Sequence, residues 1–187
     1  HKVVTGQSLA LGSRGFVETG DPEDYEYSPG LFVDVFTKSI PSPLNASCIT
    51  LEGGPRPSTP TGSTGFEPAR EYINGVLGET VVSSWAIAMS LWDRARIGFG
   101  AQYLGTISAF GAQPYENLKK GTTTYSNAIN HVQNANDIAL SLGKQHFVGS
   151  VSIIHGESQT GTTEAEYEGY LAEWASDYKT DIVAITG

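Results

Sequence analysis

The chain has 187 residues and a mass of 19.9 kDa, with 11 basic and 20 acidic side chains, a net charge of −9 and one cysteine. This is the length of one domain, and it can form a hydrophobic core without crosslinks. Cys48 has no disulfide partner within the chain. The acidic balance argues against binding to nucleic acid or to an anionic membrane, and no apolar run approaches the roughly 20 residues of a membrane span. Low charge with many Gly, Ser and Thr residues is common in secreted and virion proteins, so we expect an extracellular or phage-virion location.

The first half of the chain alternates short apolar runs with segments rich in Pro and Gly. A strand is predicted at residues 3–5, ending at Gly6, and a second at residues 31–36. Residues 39–70 are rich in Pro, Gly, Ser and Thr and predict a long excursion without regular structure. After Gly78, apolar side chains spaced i, i+3, i+4, i+7 and i+10 predict a helix with one buried face. These side chains are Val82, Trp85, Ala86, Met89 and Trp92.

The second half shows clearer periodicity. A strand is predicted at residues 103–109, and a helix at residues 125–142 with a glycine as its stop signal. Residues 147–154 form a nearly continuous apolar run, which is typical of a strand covered on both faces. A capping box beginning at Thr163 predicts another helix, and residues 181–186 predict a last strand. This alternation of strands and helices indicates βαβ units and a parallel sheet, hence an α/β fold.

Three predicted strands end in loops of small or polar residues. The loops are residues 6–8 (GQS), 110–113 (FGAQ) and 155–158 (HGES). In open parallel sheets, ligands bind beyond the carboxyl ends of the strands. We therefore expect these loops to meet at one edge of the sheet and to carry the functional groups.

Each candidate residue also has an ordinary structural interpretation. Ser8 is placed to act as a nucleophile, but a lone serine after a strand is more often the N-cap of the next helix. Gly111 offers an unhindered N–H for an oxyanion, but it is also a typical turn glycine. His155, with Glu157 nearby, suits catalysis, although a lone histidine is more often structural. The functional interpretation depends on the three loops together.

No cofactor or metal is predicted. The four histidines and one cysteine show no zinc-ligand spacing. The phosphate-binding and dinucleotide-binding glycine motifs are absent after the first strand. These absences argue against a structural metal and against a nucleotide-dependent activity.

Four segments occur in an order that resembles a known family. They are residues 5–12 (TGQSLALG), 78–80 (GET), 110–121 (FGAQPYENLKKG) and 154–158 (IHGES). The set resembles the SGNH-type carbohydrate esterases, in particular the sialate O-acetylesterase and acetylxylan esterase branch, which also occurs in bacteriophage tail proteins. The resemblance implies a three-layer α/β/α fold with a flavodoxin-like parallel sheet. It also implies a serine esterase that removes O-acetyl groups from polysaccharide or glycan.

The resemblance also implies roles for individual residues. Ser8 matches the nucleophile and first oxyanion donor, and Gly111 matches the second backbone donor. His155 stands where relatives carry a side-chain donor to the oxyanion, and Glu157 would hold its orientation. One departure is Leu9, because relatives often have Asn directly after the serine.

A larger departure concerns the general base, which the family takes from an Asp-x-x-His block near the C-terminal end of the domain. No histidine of this chain follows an aspartate by three residues. One explanation is that residues 1–187 are a single esterase domain whose C-terminal part, including this block, is missing. Another is that His155 serves as the base, paired with Glu157 in a compact Ser-His-Glu arrangement. A third is that the domain has lost catalysis and only binds glycan.

We expect an acetylated carbohydrate as the substrate, and neither nucleic acid nor membrane as a partner. Contacts with the sugar are predicted from Gln7, Gln113 and Tyr115. The alternative from another class is a carbohydrate-binding module of a tail fibre or adhesin, in which Tyr115, Tyr103 or the Pro-rich loop stacks on sugar. A lipase or thioesterase of the same fold would need an apolar acyl groove, which the polar loops do not favour.

Overall fold

The computed structural model of this protein describes residues 1–6, 47–52, 63–69, 80–98 and 101–187. Within these residues the chain forms five strands, three α-helices and one short 3₁₀ turn. The elements are β1 (Lys2–Gly6), β2 (Cys48–Leu51), β3 (Phe66–Pro68), α1 (Val81–Ile97), β4 (Tyr103–Ala109), the turn Tyr115–Asn117, α2 (Thr123–Ser141), β5 (Ser150–Ile154) and α3 (Glu164–Thr186).

The strands form one sheet in the spatial order β3-β2-β4-β1-β5. Neighbouring strands are parallel except β2 and β3, which pair antiparallel. The chain passes from β4 through α2 to β5, and β1 lies between these two strands. The prediction of a mostly parallel sheet is therefore confirmed, and β1 is at the centre of its parallel part.

Helices cover both faces of this sheet, because successive side chains of β1 belong to different clusters. Val3 packs with Trp174 of α3 and with apolar residues of α2, whereas Val4 packs with Val82 of α1 and Ile107 of β4. α1 therefore lies on one face, and α2 and α3 lie on the other. The predicted three-layer α/β/α arrangement is confirmed.

The central helix α2 begins and ends close to the predicted residues 125–142, and Thr122 caps it by accepting from the Tyr125 N–H.

α1 also forms where it was predicted, but the set of its residues that is buried differs from the predicted set. Ser83 and Ser90 are buried, whereas Trp92 is 58% exposed. The prediction that Trp92 lines the buried face is wrong. Within the described part of the chain, no helix combines the length and apolarity needed to cross a bilayer.

Two strands lie inside the segment predicted to lack regular structure. All four residues of β2 are buried, and β2 pairs with β4. β3 is an edge strand that ends at Pro68, where a missing N–H is tolerated. The prediction for residues 39–70 is therefore wrong at these positions, because strands of three or four residues are too short to show a period. The predicted strand at residues 31–36 lies outside the described residues.

The predicted last strand at residues 181–186 is wrong, because these residues complete α3. The helix starts with the predicted capping box, in which Thr163 and Glu166 bond each other's backbone and side chain. Its apolar spacing then continues through Trp174, Tyr178 and Ile182, which are all buried. The β-branched residues near its end favour a strand locally, but packing against α2 outweighs that preference.

β5 is shorter than predicted and is not covered on both faces. It begins at Ser150 instead of residue 147, and Phe147 is 69% exposed. Its five residues are all half-buried, and it forms an edge of the described sheet. The apolar run therefore marks a partly covered edge strand.

Candidate functional site

The carboxyl ends of β4, β1 and β5 are level with one another. Gly6, the last residue of β1, pairs with Ala109 of β4 on one side and with Ile154 of β5 on the other. The N–H of Phe110 donates to the Gly6 carbonyl at 3.0 Å. The loops after β4 and β5 therefore start at one edge of the sheet, as predicted. We call this edge, formed by Gly6 and residues 110–113 and 155–159, the carboxyl rim.

Gly6 is required by the close approach of β1 and β5. Its φ is +134°, and a Cβ atom built on it would lie 1.9 Å from the Ile154 carbonyl oxygen. No L side chain fits such a position without moving the backbone. The packing of β1 against β5 therefore explains why the residue before Gln7 and Ser8 is a glycine.

His155 links the two loops and α3. Its Nε2 lies 3.1 Å from the Gln113 carbonyl oxygen, and its Nδ1 lies 3.0 Å from the Tyr167 hydroxyl. Because a carbonyl only accepts, Nε2 carries the proton, and Nδ1 accepts from Tyr167. The ring also stacks on Tyr167 and meets the edge of Trp174. Both nitrogens are therefore engaged in holding the carboxyl rim together.

A second link between the loops comes from Gln159, whose Oε1 accepts from the Tyr115 N–H at 2.8 Å. Within the first loop, the Gln113 amide donates to the Gly111 carbonyl at 3.3 Å and accepts from Asn117 at 2.8 Å. The Gln113 side chain is therefore occupied by its own loop. These bonds fix the path of the backbone around Gly111.

Gly111 keeps a hydrogen-bond donor that the surrounding structure does not use. Among the described residues, its N–H has no hydrogen-bond partner, while its carbonyl accepts from Gln113. An unhindered backbone N–H held by a bonded loop is the kind of group that stabilises an oxyanion.

Tyr115 is not available to a sugar, and this corrects the prediction that it contacts substrate. The residue is 1% exposed. Its ring stacks on Tyr170 with centroids 4.5 Å apart, meets Trp174 edge-on, and has the Lys119 ammonium 5.4 Å from its centroid. The aromatic side chain anchors the first loop to α3 and leaves no free face for stacking.

Other predicted site residues are placed as follows. Gln7 and Ser8 lie outside the described residues, so their roles remain predictions. Glu157 is exposed at the carboxyl rim. Because the ring nitrogens of His155 bond Gln113 and Tyr167, the structure does not show the His155–Glu157 pair.

A cavity of about 200 Å³ adjoins the carboxyl rim at the start of α3. It is lined by Gly156, Gln159, Thr162, Thr163, Glu164 and Tyr167. The bonds that the Glu166 carboxylate accepts from Thr163 lower the pKa of Glu166, so the helix start is already capped by a negative charge. The cavity therefore offers mainly neutral hydrogen-bonding groups to a ligand.

Beneath the carboxyl rim lies a group of buried polar atoms. Among the described residues, Thr5 Oγ1, Trp174 Nε1 and the Tyr178 hydroxyl lie close together, and none of them makes a hydrogen bond of good geometry. Burial raises the pKa of Tyr178 to about 12, and the neighbouring Thr5 and Trp174 act in the opposite direction. Tyr178 is therefore neutral at pH 7.

The sequence analysis missed Tyr167 and Gln159, which hold the carboxyl rim through side-chain bonds. Neither residue belongs to a spacing pattern that indicates such a role.

The remaining histidines do not reach this rim, because His1 and His146 bond each other near the amino ends of the strands and His131 is buried in α2. In the described part of the chain, no group of three or more His, Cys, Asp or Glu residues is arranged to hold a metal ion.

Comparisons with known proteins give a fold and no family. No family model and no curated protein matches the chain. A crystal structure of the Arabidopsis thaliana protein AT4G34215 is 16% identical, with a TM-score of 0.53, and the match covers 97% of this chain and 68% of that one. XAC1771, described as a novel carbohydrate acetylesterase from Xanthomonas citri, is 13% identical with a TM-score of 0.47, and this chain spans 38% of its length. Similarity at such identity shows the fold alone, and the chain has the mostly parallel, three-layer α/β/α fold that the resemblance of its sequence segments implies.

Proposed function

We propose that this chain is a serine esterase domain that removes O-acetyl groups from carbohydrate by acyl transfer through Ser8. The observation that carries the proposal is the level ending of β4, β1 and β5, which brings Gly6, two residues before Ser8 in the sequence, to the same edge as the loops that bear Gly111 and His155.

In the proposed reaction, the Ser8 hydroxyl oxygen attacks the acetyl carbonyl carbon and its proton passes to a base. The oxyanion accepts from the N–H groups of Ser8 and Gly111. Collapse of this intermediate releases the sugar hydroxyl, which takes the proton, and leaves an acetyl ester on Ser8. Water then attacks that ester and releases acetate, restoring the serine.

His155 serves this proposal as a positioning residue. Its bond to the Gln113 carbonyl holds the loop that carries the Gly111 N–H. Direct donation to an oxyanion from Nε2 would require that bond to break. Because His1, His131 and His146 lie elsewhere, we propose that the base comes from residues other than the described histidines.

The proposed substrate is an acetylated polysaccharide or glycan, met in an extracellular or virion setting. The carboxyl rim carries Glu157, Ser158 and Gln159, which suit hydroxyl-rich ligands better than acyl chains. A lipase or thioesterase needs an apolar groove at the nucleophile, and a large apolar cavity among the described residues lies at the opposite edge of the sheet.

The test is acetate release from an acetylated polysaccharide by the full chain and by Ser8→Ala. We expect the variant to lose about 1,000-fold or more of the turnover, because no other group supplies the nucleophile. The matched control is Ser176→Ala, an exposed serine on α3, which should retain full activity.

Equal acetate release by the wild type and Ser8→Ala would refute the proposal. If the wild type releases no acetate but binds the polysaccharide, the proposal also fails, and a non-catalytic glycan-binding module becomes the favoured function.

A further inference from the structure

One large apolar side chain at the carboxyl rim is exposed to solvent. Phe110, the first residue after β4, is 59% exposed. It directly precedes Gly111, whose N–H is the proposed oxyanion donor. A single exposed phenylalanine is ordinary on a protein surface, which is more than half apolar. The position of Phe110 is not ordinary, because any ester that bonds the Gly111 N–H must lie next to this residue.

The backbone that carries Phe110 is held on both sides. Its own N–H donates to the Gly6 carbonyl at 3.0 Å, and the Gln113 carbonyl accepts from His155 at 3.1 Å. Between these bonds Ala112 has a φ of +54°, which residues with a Cβ atom rarely adopt, and the surrounding bonds maintain this strain. A ring on a fixed backbone loses little freedom when a ligand covers it, and this lowers the entropic cost of binding.

The other aromatic side chains near the carboxyl rim are engaged within the protein. Tyr115 is buried against Tyr170 and Trp174, and the Tyr167 hydroxyl bonds His155 while its ring stacks on the imidazole. Among the aromatic residues that the structure describes at this end of the sheet, only the one directly after β4 is more than half exposed. It is therefore the aromatic surface that the rim presents to a ligand.

The surroundings of Phe110 favour one kind of ligand. Its neighbours in the carboxyl rim include Gln113, Glu157, Ser158 and Gln159, and the rim contains no second large apolar side chain. A fatty acyl chain needs a continuous apolar groove, which one ring among polar residues does not form. A pyranose ring is apolar on the face where its C–H groups point and polar at its edge, where its hydroxyl groups lie. A lone aromatic ring surrounded by hydrogen-bonding side chains is complementary to such a sugar.

From these observations we propose that Phe110 binds the sugar of the substrate, by stacking its ring on the C–H face of the pyranose that carries the acetyl group. This inference rests on the proposed esterase function, in which the acetyl oxygen is held about 2.7–3.1 Å from the Gly111 N–H. The adjacent residue is then within reach of the sugar to which the acetyl group is attached. Phe110 takes the stacking role that was predicted for Tyr115.

The contact is tested first without turnover, by calorimetric titration of Ser8→Ala with acetylated xylan oligosaccharides. Adding Phe110→Ala should weaken binding about tenfold, since part of a phenyl ring is no longer buried by the sugar. Phe110→Trp, which keeps an aromatic face, should retain binding. The matched control is Phe147→Ala, because Phe147 is 69% exposed just before β5, at the opposite edge of the sheet. This control should bind like Ser8→Ala alone.

Turnover by the chain with Ser8 intact then shows whether the contact is with the sugar. Phe110→Ala should raise KM for acetylated xylan about tenfold with little change in kcat, because stacking is present in the ground state as well as in the transition state. Hydrolysis of ethyl acetate, whose leaving group has no ring, should be affected far less.

The inference is overturned if the oligosaccharides do not bind to Ser8→Ala at millimolar concentration, or if adding Phe110→Ala leaves their affinity unchanged. It is also overturned if Phe110→Ala impairs both esters equally, because the residue would then act only on the loop that carries Gly111. If the wild type releases no acetate but Phe110→Ala still weakens binding, the esterase function fails and the sugar contact stands.

Discussion

The two edges of the same sheet are constructed differently. At the carboxyl rim, strands approach so closely that Gly6 has no room for a side chain, and His155 and Gln159 tie the loops together. At the amino edge, apolar side chains surround a cavity of about 620 Å³, and His146 has an unpaired ring nitrogen. The carboxyl rim is thus closely packed and joined by polar bonds between its loops, whereas the amino edge combines polar bonds of His1 and Lys144 with an apolar cavity.

The four histidines differ in how many of their ring nitrogens are bonded, and His1 at the amino edge has both bonded. His155 at the carboxyl rim has both nitrogens bonded, His146 at the amino edge has one, and His131, buried in α2 between the edges, has none. Burial lowers the pKa of His131 and of His146 to about 4. The bonding of a histidine therefore follows its own neighbours, and at the carboxyl rim those neighbours are the Gln113 carbonyl and the Tyr167 hydroxyl.

The largest effect on stability is expected from the tight approach at the carboxyl rim. Gly6→Ala places a Cβ atom 1.9 Å from the Ile154 carbonyl oxygen at a φ of +134°. We expect a loss of about 3 kcal/mol or more in the free energy of unfolding, because both the clash and the strained φ must be relieved. Urea denaturation followed by circular dichroism measures it.

The matched control is Gly169→Ala, because Gly169 lies in α3 and a Cβ there meets nothing within 4 Å. This change should stabilise the protein by roughly 0.5–1 kcal/mol, since alanine favours a helix. Equal effects of the two substitutions would show that the carboxyl rim is not tightly packed at Gly6.

An acid titration tests the burial of His131, whose two ring nitrogens lack hydrogen-bond partners. Because the folded pKa of His131 is about 4, below its unfolded value of about 6.5, the unfolded chain binds the proton first as pH falls. The free energy of unfolding is therefore unaffected by this group above about pH 6.5 and falls by about 3 kcal/mol between about pH 6.5 and 4.

His131→Leu removes the titrating group and should be neutral or slightly stabilising at pH 7, since two unsatisfied nitrogens are lost. The measurement is the free energy of unfolding of the wild type and the variant at pH 7 and pH 4. Parallel losses in the two proteins would contradict the burial of an unpaired ring.

A smaller effect is expected from the bonds that fix the carboxyl rim. His155→Phe keeps the ring stacking and removes two hydrogen bonds, so it should cost about 1–2 kcal/mol of stability. Tyr167→Phe removes only the bond to Nδ1 and should cost less. If His155 is a positioning residue, acetate release should fall more in His155→Phe than in Tyr167→Phe, because only the former frees the Gln113 loop. Complete loss of activity in Tyr167→Phe with unchanged stability would indicate direct participation of His155 in the reaction.

The regular part of this fold could be predicted from the sequence because its signals are local. α2 has a long apolar stripe and a glycine beyond its end, and β4 is an uncharged segment that ends before the Gly- and Pro-containing residues 110–114. β2 and β3 could not be predicted, because strands this short form only beside a partner, which is β4 for β2 and β2 for β3. The end of α3 was mistaken for a strand because the buried side of Ile182 depends on the packing against α2.

The place of the site could be predicted, but its bonds could not. Topology alone brings the ends of parallel strands to one edge, so the loops at Gly6, Gly111 and His155 were expected together. The partners of His155 depend on how α3 docks, and no spacing in the sequence encodes the contact with Tyr167 twelve residues later. The burial of Tyr115 likewise arises from Tyr170 and Trp174, which become its neighbours only in the folded chain.

The central claim, that Ser8 is an activated nucleophile at the carboxyl rim, is tested most directly by labelling the protein with a fluorophosphonate and mapping the adduct by peptide mass spectrometry. The account predicts one adduct per chain, on Ser8, which is lost in Ser8→Ala and retained in Ser176→Ala. An adduct on another serine, or no adduct on a protein that releases acetate, would contradict it.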